Sequence, residues 1–157
     1  MQYSSELENI MSKSCDFLNQ ISNDSASSKK SENKWSRKEI LGHLIDSANV
    51  NYYRFLMALQ KDKLIFDTYP QDEWVRIQDY NNRNWDELIE CWKSINLQIV
   101  QLVNNIPIEK LNHTTYDHNF DKICWQIVEK KYKSSLEYLI NDYIDHLEHH
   151  IKQIKNY

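Results

Sequence analysis

A single glycine, Gly42, and only two prolines, Pro70 and Pro107, stand among 157 residues. Walker and dinucleotide-binding phosphate loops need several glycines for close backbone approach, so this chain builds neither. The same scarcity removes most of the punctuation that a many-turned β architecture requires, which leaves long helices as the simpler solution.

Hydrophobic periodicity agrees. Leu7, Ile10, Met11, Cys15, Leu18 and Ile21 recur at spacings of three and four, predicting a helix from about Ser4 to Ile21. Ser36 and Glu39 make a capping-box pattern opening a second helix that runs to about Gln60. Asn84 with Glu87 opens a third, ending near Asn104, and Ser134 with Glu137 opens a last one that reaches the C-terminus. The expected fold is all-α, a four-helix bundle in one domain spanning 1–157. The polar run 22–34 reads as a flexible connection. The connections at 61–83 and 107–133 exceed the usual two to eight residues, and their aromatics suit a cover over one end of the bundle. His113 and His118, in the second of them, read as solvated.

Charge and cysteines narrow the function. A net charge of −4 lacks the basic excess of a nucleic-acid footprint. Cys15, Cys91 and Cys124 form no CxxC pair, which favours a reducing compartment. No N-terminal apolar core and no bilayer-length apolar window are present, so a cytoplasmic protein without a membrane partner is expected.

The stretch YIDHLEHHIKQI concentrates three histidines on the last helix. At about 100° per residue, Leu136, Ile140, Tyr143, Leu147 and Ile154 define its buried stripe. His150 falls within that stripe, His146 at its edge beside Gln153, and His149 on the flank of Tyr138, Asp142 and Asp145. His146 and His150, at i and i+4, stand about 6 Å apart at Cβ, close enough to share an ion. An i, i+3 pair also shares a face, so His149 stays open. Two ligands seldom suffice for a site, and a third is needed. His43 is the candidate, on a flank of the second helix with Ser47, Val50 and Arg54. The core face there is Ile40, Leu41, Leu44, Ala48, Phe55 and Leu59, and the flank can meet either a neighbouring helix or solvent.

A histidine in WSRKEILGHLIDS early in the second helix, joined to HxxHHxxQI at the end of the last, resembles the DinB-like superfamily of DinB/YfiT-like proteins. The likeness takes in YPQDEWVRIQDYNNRNWDEL and SSLEYLINDYIDHLEHHIKQI, and so nearly the whole chain. It implies a bundle with a divalent metal ion, nickel or zinc, held at one end by His43, His146 and His150. Three imidazoles leave a coordination position for water or substrate. The chemistries implied are hydrolysis of a small molecule by metal-activated water, and transfer or isomerisation using a low-molecular-weight thiol such as bacillithiol. A non-catalytic metal-binding bundle is the remaining class.

Asp46 and Gln153, three residues after His43 and His150, are placed to take the second ring N–H of a ligand. Asp46 is also the candidate catalytic residue, as a general base. Trp85 and Trp92 are spaced for core packing, as is Cys91 on the same helix, and Trp35 suits a staple before the Ser36 cap. Tyr69 and Trp74 either line a pocket mouth or pack within their loop. Pairing into a homodimer through helix faces is compatible with a bundle of this size.

Overall fold

A computed structural model describes residues 2–157. Its helices are α1 (Gln2–Leu18), α2 (Asn23–Ser27), α3 (Arg37–Gln60), α4 (Gln71–Gln78), α5 (Trp85–Asn104), α6 (Ile108–Asn112), α7 (Phe120–Ile123) and α8 (Leu136–Lys155). A 3-10 turn at Tyr80–Asn82 follows α4, and two short strands, β1 (Thr114–Thr115) and β2 (Ser134–Ser135), pair antiparallel. The four long helices form the bundle: α3 packs on α5 and α8, and α1 closes the ring against the same two. One continuous core joins Leu7, Leu18, Leu44, Phe55, Trp85, Trp92 and Leu147, so the two tryptophans of α5 pack as their spacing indicates. No helix of the described residues is long and apolar enough to cross a membrane.

Capping explains where α3 begins. Ser36 Oγ accepts from Glu39 N at 3.2 Å, and Ser36 N donates back to Glu39 at 2.7 Å. Arg37, one residue on, donates through Nε to Ile154 O at 3.2 Å and through Nη2 to Tyr157 O at 3.3 Å. These carbonyls belong to the last turn of α8 and the chain beyond it, where helical partners run out. The contact ties the N-terminal end of α3 to the C-terminal end of α8, the two ends that carry the histidines.

Several expectations change. The run 22–34 is not wholly a connection: Ser22 caps α2 by accepting from Ser25 N at 3.2 Å, and Ala26 is buried. The last helix is capped by Ser135, not Ser134, through a bond from Tyr138 N at 3.2 Å. Ser134 is held extended opposite Thr115, and Glu137 accepts from Tyr3 instead of returning to the cap. Asn84 does cap α5, accepting from Glu87 N at 3.1 Å. Cys91 is exposed rather than packed. His118 is buried, because its Nε2 reaches Tyr132 O at 2.8 Å while Nδ1 accepts from Phe120 N at 3.3 Å. His113 is exposed, as expected.

The long connections are bound to each other. Leu64 N donates to Asp117 O at 2.8 Å, and the Asn119 side chain bridges Phe66 N at 3.1 Å and Phe66 O at 2.7 Å. Asp142 of α8, expected on an outer flank, is buried: its carboxylate accepts from Trp125 N at 3.0 Å and Gln126 N at 2.7 Å. That clamp fixes the chain after α7 against the histidine-bearing helix.

Candidate metal centre

His43 from α3 and His146 and His150 from α8 converge, with one nitrogen from each lying within 4.8 Å of the others. His43 Nε2 and His146 Nε2 are 3.3 Å apart. The rings meet edge-on, with centroids 4.8 Å apart for His43–His150 and 4.5 Å for His146–His150. His149 is exposed, its ring 5.0 Å from that of Trp125 on the outer side. The flank of α3 therefore faces α8, which settles what periodicity left open: His43 is only 1% exposed.

The donor set fits a divalent ion. Two nitrogens on one tetrahedral ion with bonds of about 2.0–2.1 Å stand roughly 3.4 Å apart, close to the His43–His146 separation of 3.3 Å. His150 Nδ1 lies 2.8 Å from Gln153 Oε1, an atom that only accepts, so the ring proton sits on Nδ1 and Nε2 keeps its lone pair. Ligand imidazoles must be neutral. Burial pushes His43 down to about 4, and the His150 charge adds to the shift. Burial likewise takes His146 to about 3, reinforced by the three neighbouring histidines. His150 is lowered by burial too, against the opposing pull of Gln153.

Gln153 thus occupies the supporting position expected of it, while Asp46 does not contact His43 in that way. Asp46 Oδ1 accepts from Tyr80 Oη at 2.8 Å and Gln78 Nε2 at 3.3 Å, and its Oδ2 and His43 Nδ1 are both buried without partners among the described residues. Burial pushes the Asp46 carboxyl above the usual carboxylate range, against the pull of those two bonds. Trp35 tilts over His43 with centroids 5.2 Å apart, covering the ring.

A cavity of about 320 Å³ opens beside His146 and His150. Its wall includes Ser47, Asn51 and Arg54 of α3, Tyr69 of the first connection, and Asp142 and Tyr143 of α8. Asp46 is not part of it. Tyr143 is anchored by donating to Asn96 Oδ1 at 2.5 Å. Burial pushes the Tyr69 hydroxyl up to about 12, so it stays a donor. Trp74 packs tilted against Tyr69, with ring centroids 4.9 Å apart, and lines a second, outer groove with it. Of these wall residues, Ser47 and Arg54 had a sequence signal in the helix flank shared with His43, Tyr143 in the buried stripe of the last helix, and Tyr69 in an aromatic loop. Asp142 had none, since its burial depends on a chain segment 16 residues away.

A helical bundle whose second and last long helices bring three imidazoles together beside a polar cavity is the architecture observed. The chain belongs to the DinB superfamily, whose family model matches residues 13–154. Over 49 residues it is 35% identical to "Putative metal-dependent hydrolase BH0277" of Halalkalibacterium halodurans; the match takes in 31% of this chain and 29% of that protein's length. The fold is similar to that of YfiT from Bacillus subtilis, with a TM-score of 0.79 at 17% identity, covering 99% of this chain and 83% of that one. YfiT is described as "a probable metal-dependent hydrolase with an unusual four-helix bundle topology".

Proposed function

We propose that this chain is a metal-dependent hydrolase of a small molecule, with His43, His146 and His150 as ligands of a divalent ion, nickel or zinc. The observation supporting this most is the convergence of three neutral imidazoles within 4.8 Å beside a cavity that His146 and His150 also line. The names given to the two related proteins point the same way. A divalent ion in such a set supplies Lewis acidity, lowering the pKa of water and polarising a carbonyl.

The chain's own residues set the conditions. Gln153 fixes the His150 tautomer, and Trp35 and the α3 core keep His43 shielded from solvent. Ser47 and Tyr69 offer hydroxyl groups, and Asn51 its amide oxygen, to orient a polar substrate. Cys124 lines the cavity, but burial and the adjacent Asp142 push its thiol far above the ordinary range, so it is no nucleophile. A reactive thiol would have to come from outside.

Asp46 is the proposed proton acceptor under a sharp condition. Its Oδ1 is committed to Tyr80 and Gln78, its Oδ2 is without a partner but enclosed, and the carboxyl lies outside the cavity lining, so a proton would have to reach Oδ2 through a rearranged wall. If it acts as base, Asp46→Asn lowers turnover by about 10²–10⁴ at unchanged metal content. Unchanged turnover would leave Asp46 as a clamp on Tyr80 and Gln78. The broader test is a panel of esters and amides with metal-loaded protein, run with and without small thiols. Hydrolysis should vanish on chelation, return with nickel or zinc, and be absent in His146→Ala. Activity surviving both treatments overturns the reading, and turnover only with added thiol replaces hydrolysis by transfer.

A further inference from the structure

Arg54 is 4% exposed and lines the cavity that reaches His146 and His150. Its Nη2 donates to Asp67 O at 2.8 Å, which fixes the guanidinium against the first connection. Its Nε is buried with no hydrogen-bond partner, and among the described residues no carboxylate forms an ion pair with it. The acid sharing the wall, Asp142, already accepts from two backbone N–H groups. A buried cation is expensive to desolvate and is normally paired. Here Nη2 of the fork is used by a carbonyl and Nε is enclosed without a partner, while the residue itself lines the cavity.

We infer that Arg54 is the anion-reading residue of this cavity, and that the molecule brought to the histidines carries a carboxylate that pairs with the Arg54 guanidinium. This rests on the cavity being the substrate site proposed above. Arg54 is the buried cation of a wall that also carries the exposed Lys122, and Asp142 partly offsets its charge, so a monoanion suits the guanidinium better than a phosphate dianion. The Tyr69 hydroxyl stands on the same wall to complete the recognition of a polar headgroup, whereas Asn51 Nδ2 is already committed to Ser47 O at 2.9 Å and Oγ at 3.3 Å. Arg54 and Tyr69 also line the outer groove, which is about 600 Å³ and has Val50, Met57, Phe66 and Trp74 in its wall. A ligand with its anion at Arg54 therefore has apolar space on one side and the histidines on the other.

The test compares butyrate with its uncharged counterpart butyramide, titrated into the full chain by ligand-observed NMR at constant ionic strength. Wild type should favour butyrate by about tenfold or more, the size of one charge-assisted hydrogen bond. Arg54→Met should abolish that preference, and His146→Ala should keep it. A preference kept in Arg54→Met but lost in His146→Ala places the anion at the histidines and overturns the inference; so does the absence of any preference. If Arg54→Met fails to fold, Arg54→Lys and a crystal structure grown with butyrate decide. A carboxylate against the Arg54 guanidinium supports the inference, and one elsewhere refutes it. Metal content measured on the same samples separates the two readings, because loss of the preference in Arg54→Met stands even if no ion binds.

Discussion

Gly42 sits in the first half of α3, where a glycine costs about 1 kcal/mol relative to alanine. The gain that offsets this is the Tyr80 ring: a Cβ on Gly42 would lie 2.1 Å from Tyr80 Cδ2 and 2.2 Å from Cγ. The ring is itself 1% exposed, and its hydroxyl holds Asp46. Gly42→Ala is therefore expected to lose about 1–3 kcal/mol despite its better helix propensity, since a fixed ring must move. Chemical denaturation checks this, and a variant as stable as wild type would contradict the close approach. The sequence showed a glycine inside a helix, but the ring that fills the gap comes from 38 residues later, through a turn with a left-handed Asp79 at φ 50°. Asp46 was similarly visible as an acid near His43, while its true partners, Tyr80 and Gln78, were not.

Among the elements, the long helices were legible because each repeats its apolar residues over several turns and three of them open with a polar cap. The helices α2, α4, α6 and α7 have eight residues or fewer, too short for a period to register. α2 has its own cap at Ser22, and the two long connections that carry the others are held by long-range bonds such as Leu64 to Asp117. The misplaced cap of α8 has the same origin. Ser134 and Ser135 are equivalent by local pattern, and pairing with β1 decides between them. Ser135→Ala should cost about 1 kcal/mol through loss of the bond to Tyr138 N. Ser134→Ala should cost less, because its hydroxyl is buried without a partner. Thermal melts of the two variants check the order, and the reverse order would return the cap to Ser134.

For the whole molecule, the site exists because Arg37 and the α3–α8 contact bring residues more than 100 positions apart to one end of the bundle. The inward pair on α8 was readable from the helical period. His43 was not, since its flank is buried by a neighbour that periodicity does not name. The cluster also ties stability to pH in the metal-free protein. Folding lowers His43 from 6.5 to about 4 and His146 to about 3, so the unfolded chain binds more protons below pH 6.5. Stability from these groups is present above about pH 6.5 and is lost as pH falls toward their folded values, by on the order of a few kcal/mol. Denaturation of metal-free protein at pH 7 and pH 5 should show a drop that is smaller in His146→Ala. An equal drop in both would assign the pH dependence to other groups.

The most direct measurement is the metal content of protein purified without a histidine tag, compared with His43→Ala and His146→Ala. One equivalent of nickel or zinc in wild type, absent in both variants, is the expected result. Wild type without stoichiometric metal after loading, or variants that keep it, would contradict the three-histidine centre.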